Sequence, residues 1–163
     1  MTEYRQLEIK AWQEKAVRYF CSKPANFPTG RAFNCCKSIL LTLSEYLKID
    51  TELIPKLGTA IGAGVGLNGL LCGSVSGVAL AIGMKLGRNR PDENPSQAWT
   101  MIDQYIAMFK QRFGYVNCSQ LTGVNLKTPD GLKEYHTRIH DIGCADRVRF
   151  AVRQAVELLT EIS

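Results

Sequence analysis

The chain has no C-x-x-C, no C-x-x-C-H and no run of five basic residues. The first absence removes a thioredoxin-type active site. The second removes covalent haem attachment. The third, with a formal net charge of only +5, removes the usual electrostatic footprint of nucleic-acid binding. Histidine is scarce, with only His136 and His140. No serine-nucleophile motif or paired-carboxylate constellation stands out. The opening residues, Met1-Thr2-Glu3-Tyr4-Arg5, lack the basic-then-apolar order of a secretory signal. A cytoplasmic location is therefore expected, where structural disulfides are rare. The adjacent Cys35 and Cys36 could close only a strained bridge.

No strand-like alternation is sustained anywhere, and helical spacing dominates. With 163 residues and an ordinary globular balance of apolar and charged residues, residues 1–163 are expected to form one helical domain. A first helix spans 3–21, with Leu7, Ala11, Trp12, Ala16 and Phe20 on one face. Pro24 to Gly30 reads as a loop. A second helix runs from about Arg31 to Leu47, its stripe formed by Phe33, Cys36, Leu40, Leu43 and Leu47, with Cys35 one residue off it. A short helix follows from Thr51. After Asn94-Pro95 a long helix reaches Arg112, with Trp99, Ile102, Ile106, Phe109 and Phe113 on one face and Gly114 just past its end. Cys118 falls in a short turn. Thr128-Pro129-Asp130 marks another helix start, and a last helix covers about Gly143 to Thr160. The expected fold is an all-α bundle of about five to seven helices around a glycine-rich central helix.

That central segment, Gly58 to Gly87, carries glycines in two fourfold-spaced sets. They are Gly58, Gly62 and Gly66, then Gly69, Gly73 and Gly77. In a helix each set would form a ridge where another backbone approaches closely. Glycine costs about 1 kcal/mol per helix position relative to alanine, which close packing would offset. Gly62 to Gly66 is also a loop candidate. Its G-x-G-x-G lacks the preceding strand that a dinucleotide fingerprint needs. The apolar run Leu67 to Leu86 is only just long enough to span a bilayer and contains several glycines and Lys85, so a buried core helix is the better reading and no membrane span is expected.

The six cysteines carry the chemistry. His136, His140 and Cys144 form H-x3-H-x3-C, a set of zinc-type ligands on a continuous helix, but Gly143 is expected to break the helix first. Cys35, Cys72 and Cys144 each fall near a helix start, and Cys118 follows a helix. Helix N-termini favour thiolates, the species that attack disulfides and bind soft metals.

These residues also carry a resemblance. Asn34-Cys35 before a helix, Gly62-x-Gly64-x-Gly66-x-x-Gly69-x-x-Cys72-Gly73-Ser74-Val75-Ser76-Gly77, and Gly83-x-x-x-Gly87 resemble the redox-active C-GCAxxG-C-C family. Phe113-Gly114-Tyr115-Val116-Asn117-Cys118-Ser119-Gln120-Leu121-Thr122-Gly123 resembles its third cysteine region, and Cys144 with the following helix its fourth. The likeness covers about 32–159, leaving the first helix as an added element. Ser74 stands where the signature has alanine. The resemblance implies four signature cysteines: Cys35, Cys72, Cys118 and Cys144. A related module accompanies haem-binding segments in split-Soret cytochromes, where an iron–sulfur cluster is implied. Cys21 and Cys36 are extra and read as packing residues.

Three readings stay open. The four thiolates could hold a cluster, [2Fe–2S] most simply or zinc instead, for electron transfer to an unidentified redox partner. Gly69, Gly73 and Gly77 would then let backbone N–H groups approach it. The cysteines could instead act as metal-free thiol–disulfide pairs in a redox protein or sensor. The chain could also be a helical interaction protein with buried thiols. The glycine ridges are compatible with a homodimer.

Overall fold

The computed structural model describes residues 2–22 and 32–161. The loop expected over Pro24–Gly30 lies outside the described residues, as does Arg31 itself. The second helix does not run from Arg31 as expected: Ala32 and Phe33 are not helical, and the extended Asn34 caps a helix that begins at Cys35. The fold is all-α. Among the described residues there is no strand, and one isolated antiparallel bridge joins Leu71 to Asn117.

The long helices are α1 (Glu3–Cys21), α2 (Cys35–Tyr46), α5 (Gly73–Leu86), α6 (Ser96–Phe113) and α9 (Ala145–Thr160). Short turns α3 (Ile54–Leu57), α4 (Gly62–Val65), α7 (Cys118–Thr122) and α8 (Pro129–Glu134) connect them. A π-helical segment, Tyr135–Cys144, runs straight into α9. Gly143 therefore does not interrupt the helix as expected. The wider π turns carry the chain through it.

Helix starts follow local chemistry. Asn34 caps α2, its Oδ1 accepting from the Lys37 amide at 2.9 Å. Thr128 caps α8 by accepting from the Gly131 amide at 3.1 Å, with Pro129 at the first helical position. Gly114 ends α6 at φ 81, a conformation that suits glycine.

Helix α5 is the glycine-rich centre. It packs against α2, α6 and α9, while α1 covers α2 and α9. Ile39, Leu43, Val75, Val78, Tyr105, Phe109, Val148 and Val152 form the fully buried heart. Gly77 seats α5 on α2, since a Cβ there would meet the Cys36 carbonyl oxygen and Ile39 Cβ, both at 3.1 Å. The α6 stripe is rotated from the expected one. Met101, Tyr105 and Phe109 are buried, whereas Trp99 is exposed. On α1, Ile9, Ala16, Val17 and Phe20 face inward, and Leu7 does not.

The two glycine ridges are the main correction. Only Gly73 and Gly77 share a helix. The preceding run winds left-handed instead, with positive φ at Ala63, Gly64, Val65, Gly66 and Leu67, and again at Gly69. For the non-glycine members this conformation costs about 1–2 kcal/mol each. Hydrogen bonds hold it from within and from outside. The Leu70 amide donates to the Gly64 carbonyl at 3.0 Å, and the Ser119 amide, far along the chain, donates to the Gly69 carbonyl at 2.9 Å. No described helix is long and apolar enough to cross a membrane.

Candidate functional site

Two pieces of extended backbone lie side by side at one end of α5. The Cys72 amide donates to the Val116 carbonyl at 2.8 Å. The Cys118 amide donates to the Leu70 carbonyl at 2.6 Å, and the Ser119 amide to the Gly69 carbonyl at 2.9 Å. This pairing brings Cys72, at the N-cap of α5, beside Cys118, the first residue of α7. Gly69 permits the approach, because a Cβ there would sit 2.8 Å from Ser119 Cβ.

Cys35 enters from α2, whose first residue it is. Gly73 lies against its sulfur, and the Ala63 amide of the left-handed turn donates to it. Cys144 enters from the junction of the π-helical segment and α9. All four cysteines line one enclosed cavity, together with Ala63, Ser74, Leu121, Thr122, Tyr135 and Arg147. The sulfurs nearly fill it, leaving ≈ 10 Å³, about the volume of one water centre. Each of the four residues is less than a tenth exposed. Cys118 begins a helical turn rather than lying in a loop, so Cys35, Cys72 and Cys118 sit at or next to a helix start. Cys144 instead lies inside the continuous helix that the π-helical segment and α9 form, not at a helix start as expected.

Burial governs their electrostatics. It pushes the Cys72 thiol up to about 11 and the Cys118 thiol up to about 12, and raises Cys35 and Cys144 as well. The neighbouring thiols add to this, Cys72 acting on Cys35 and Cys118 on Cys72. The expectation that helix N-termini would favour thiolates is therefore overturned in the metal-free protein. Desolvation outweighs the helix ends.

Several groups counter that cost. Arg147 Nη1 donates to Cys144 Sγ at 3.4 Å, and its Nη2 donates to the Leu121 carbonyl at 2.6 Å. The Tyr135 hydroxyl also donates to Cys144. The Ser74 amide donates to Cys72. Two buried polar atoms on cavity-lining residues have no hydrogen-bond partner: Ser74 Oγ and Arg147 Nε. Arg147, Tyr135 and Ala63 were not singled out from the sequence. Arg147 had a signal, since it lies one helical turn beyond Cys144.

The remaining candidates fall elsewhere. Cys36 is buried on α2 behind the site, between α2 and α5. His136, His140 and Cys144 do not converge as a ligand set. The His140 ring stacks on Phe20 at 4.1 Å between centroids. Its Nδ1 lies 2.6 Å from Asp141 Oδ1.

One family model, described as "Putative redox-active protein (C_GCAxxG_C_C)", matches residues 33–158. That span contains every cavity cysteine and leaves out α1. No curated protein and no solved structure matches the chain.

Proposed function

We propose that this chain, which belongs to the C_GCAxxG_C_C family of putative redox-active proteins, holds an iron–sulfur cluster on Cys35, Cys72, Cys118 and Cys144 and transfers electrons. The observation that carries this reading is the convergence of four thiols, from four separate segments, on one enclosed cavity.

The residues fit such a group. Four cysteines are the usual ligand set for a cluster. Four thiolates around one cavity suit a cluster or a single zinc ion, and a cluster requires the sulfurs to move apart from their present close packing. The partnerless Ser74 hydroxyl and Arg147 Nε suit donation to cluster sulfur. The Arg147 guanidinium balances the negative charge that four thiolates and a cluster bring.

When bound, the cluster supplies a one-electron couple. The protein's part is to hold it and set its potential. Apolar packing over α2, α5 and α9 excludes water. The Ala63 and Ser74 amides and Arg147 donate to the ligating sulfurs, which favours the reduced, more negative form.

Metal-free thiol–disulfide exchange is the weaker reading. All six cysteines are free thiols, and the four in the cavity are buried with raised pKa values. Exchange needs an accessible thiolate. Iron and acid-labile sulfide in equal amounts, with broad visible absorption, in protein purified without oxygen would support the cluster. Their absence would remove it.

A further inference from the structure

A second set of ligand-type side chains converges outside the four-cysteine cavity. Cys21 is the last residue of α1, and His140 and Asp141 are neighbours in the π-helical segment. One ligand atom from each lies within 4.8 Å of the other two. Among the described residues this is the one such cluster of three. It sits on the wall of a solvent-connected cavity of ≈ 690 Å³, whose other walls include Phe20, Leu126, Leu132 and Tyr135.

We propose that Cys21, His140 and Asp141 form a second metal site, for one divalent cation of the zinc type. Its open coordination position faces this cavity.

The donor set is one sulfur, one imidazole nitrogen and one carboxylate oxygen, the mixture that suits zinc. Three protein ligands leave a fourth position for water or a small anionic ligand, as in open zinc sites. Ligands around zinc lie roughly 3.3–3.8 Å apart, so side-chain adjustments of about 1 Å close the site. His140 is held for the role. Phe20 stacks on one face of its ring, and Tyr135 meets it edge-on at 5.5 Å. The Asp141 side chain is 76% exposed, which gives the ion a route in. On binding, the cation takes the place of the Cys21 thiol proton, which passes to solvent.

The same three residue types could also suggest a nucleophilic relay, but the geometry does not make one. In a relay the thiol bonds the imidazole, and the carboxylate stands behind the ring. Here the Cys21 thiol and His140 Nδ1 both bond the Asp141 carboxylate. Three donors around one point is the arrangement of a chelate. The cavity size is within the range of small-molecule sites, so a bound ion would stand where a ligand can reach it.

Cobalt(II) alone is the probe, added to the full-length chain purified without oxygen. Thiolate ligation gives a near-ultraviolet charge-transfer band, and tetrahedral geometry gives visible d–d bands. Wild-type protein is expected to bind one more thiolate-ligated equivalent than Cys21→Ser. Asp141→Asn, an exposed substitution that leaves packing intact, should weaken that equivalent about tenfold or more. Cys35→Ser should retain it, which separates it from the four-cysteine cavity. Equal cobalt uptake by wild type and Cys21→Ser would overturn the proposal, as would unchanged affinity in Asp141→Asn. Circular dichroism checks that each variant is folded.

Discussion

Gly73 lies directly against the sulfur of Cys35: a Cβ on Gly73 would sit 2.2 Å from Cys35 Sγ and 2.9 Å from the Cys36 amide nitrogen. The glycine is what lets the starts of α2 and α5 share one site. Gly73→Ala should therefore destabilise the protein by about 1–3 kcal/mol through overpacking and sharply reduce metal retention. Gly83→Ala, on the same helix with nothing within 4 Å of its Cβ, is the control and should gain up to about 1 kcal/mol. Urea unfolding of both variants checks this. Equal behaviour of the two would mean that the contact has no consequence.

The left-handed turn gives a second prediction. Gly64 has φ +68, and a Cβ there would lie 2.7 Å from both Cys118 Cβ and the Leu70 amide nitrogen. Gly64→Ala should cost at least about 1–2 kcal/mol from backbone conformation alone, with a further cost from the clash. Thermal unfolding would show a lower midpoint. An unchanged midpoint would mean that the turn is not held left-handed in solution.

Ser74 should have opposite effects on two quantities. Its hydroxyl is buried without a partner, so Ser74→Ala should leave the metal-free protein as stable or stabilise it by about 1 kcal/mol. In the loaded protein the same change removes a donor to cluster sulfur. The reduction potential should move negative at unchanged iron content. A potential equal to wild type would show that the hydroxyl points away from the cluster.

Alkaline pH should weaken the metal-free, reduced protein. Folded Cys72 and Cys118 keep their protons up to about 11 and about 12, against 9.0 for an ordinary thiol. In that window the unfolded chain releases protons that the folded chain retains, so rising pH favours unfolding. The contribution is whole below about pH 9 and is lost as pH rises through about 11–12. Urea midpoints should be level at neutral pH and decline above about pH 9, with a shallower decline in Cys72→Ala. A parallel decline in both proteins would assign the effect to other groups.

Locally encoded features were legible. Thr128 before Pro129 and Gly114 after Phe113 mark helix ends by their own capping chemistry, and the structure has these ends there. The second helix reads in sequence as starting near Arg31, ahead of the Asn34 cap that sets its start at Cys35. The family likeness also read well, its span of about 32–159 agreeing with the matched 33–158. The Asn94-Pro95 start was off by one residue, because Asn94 accepts from the Ser96 amide and α6 begins at Ser96. What failed was non-local. Ala63, Val65 and Leu67 disfavour positive φ, and the left-handed turn combines local hydrogen bonds such as Leu70 to Gly64 with contacts from distant segments such as Ser119 to Gly69. The pairing of residues 69–72 with 116–119 likewise has no local signature. Cys21 packs against the core, as read from the sequence, but its nearness to His140 and Asp141 had no local signature because they lie far along the chain.

Iron and acid-labile sulfide analysis tests the central claim most directly, on wild type, Cys72→Ser and Cys21→Ser purified without oxygen. The account predicts matching iron and sulfide in wild type and in Cys21→Ser, and loss of both in Cys72→Ser. A wild-type protein with neither, or equal retention in Cys72→Ser and Cys21→Ser, would contradict it.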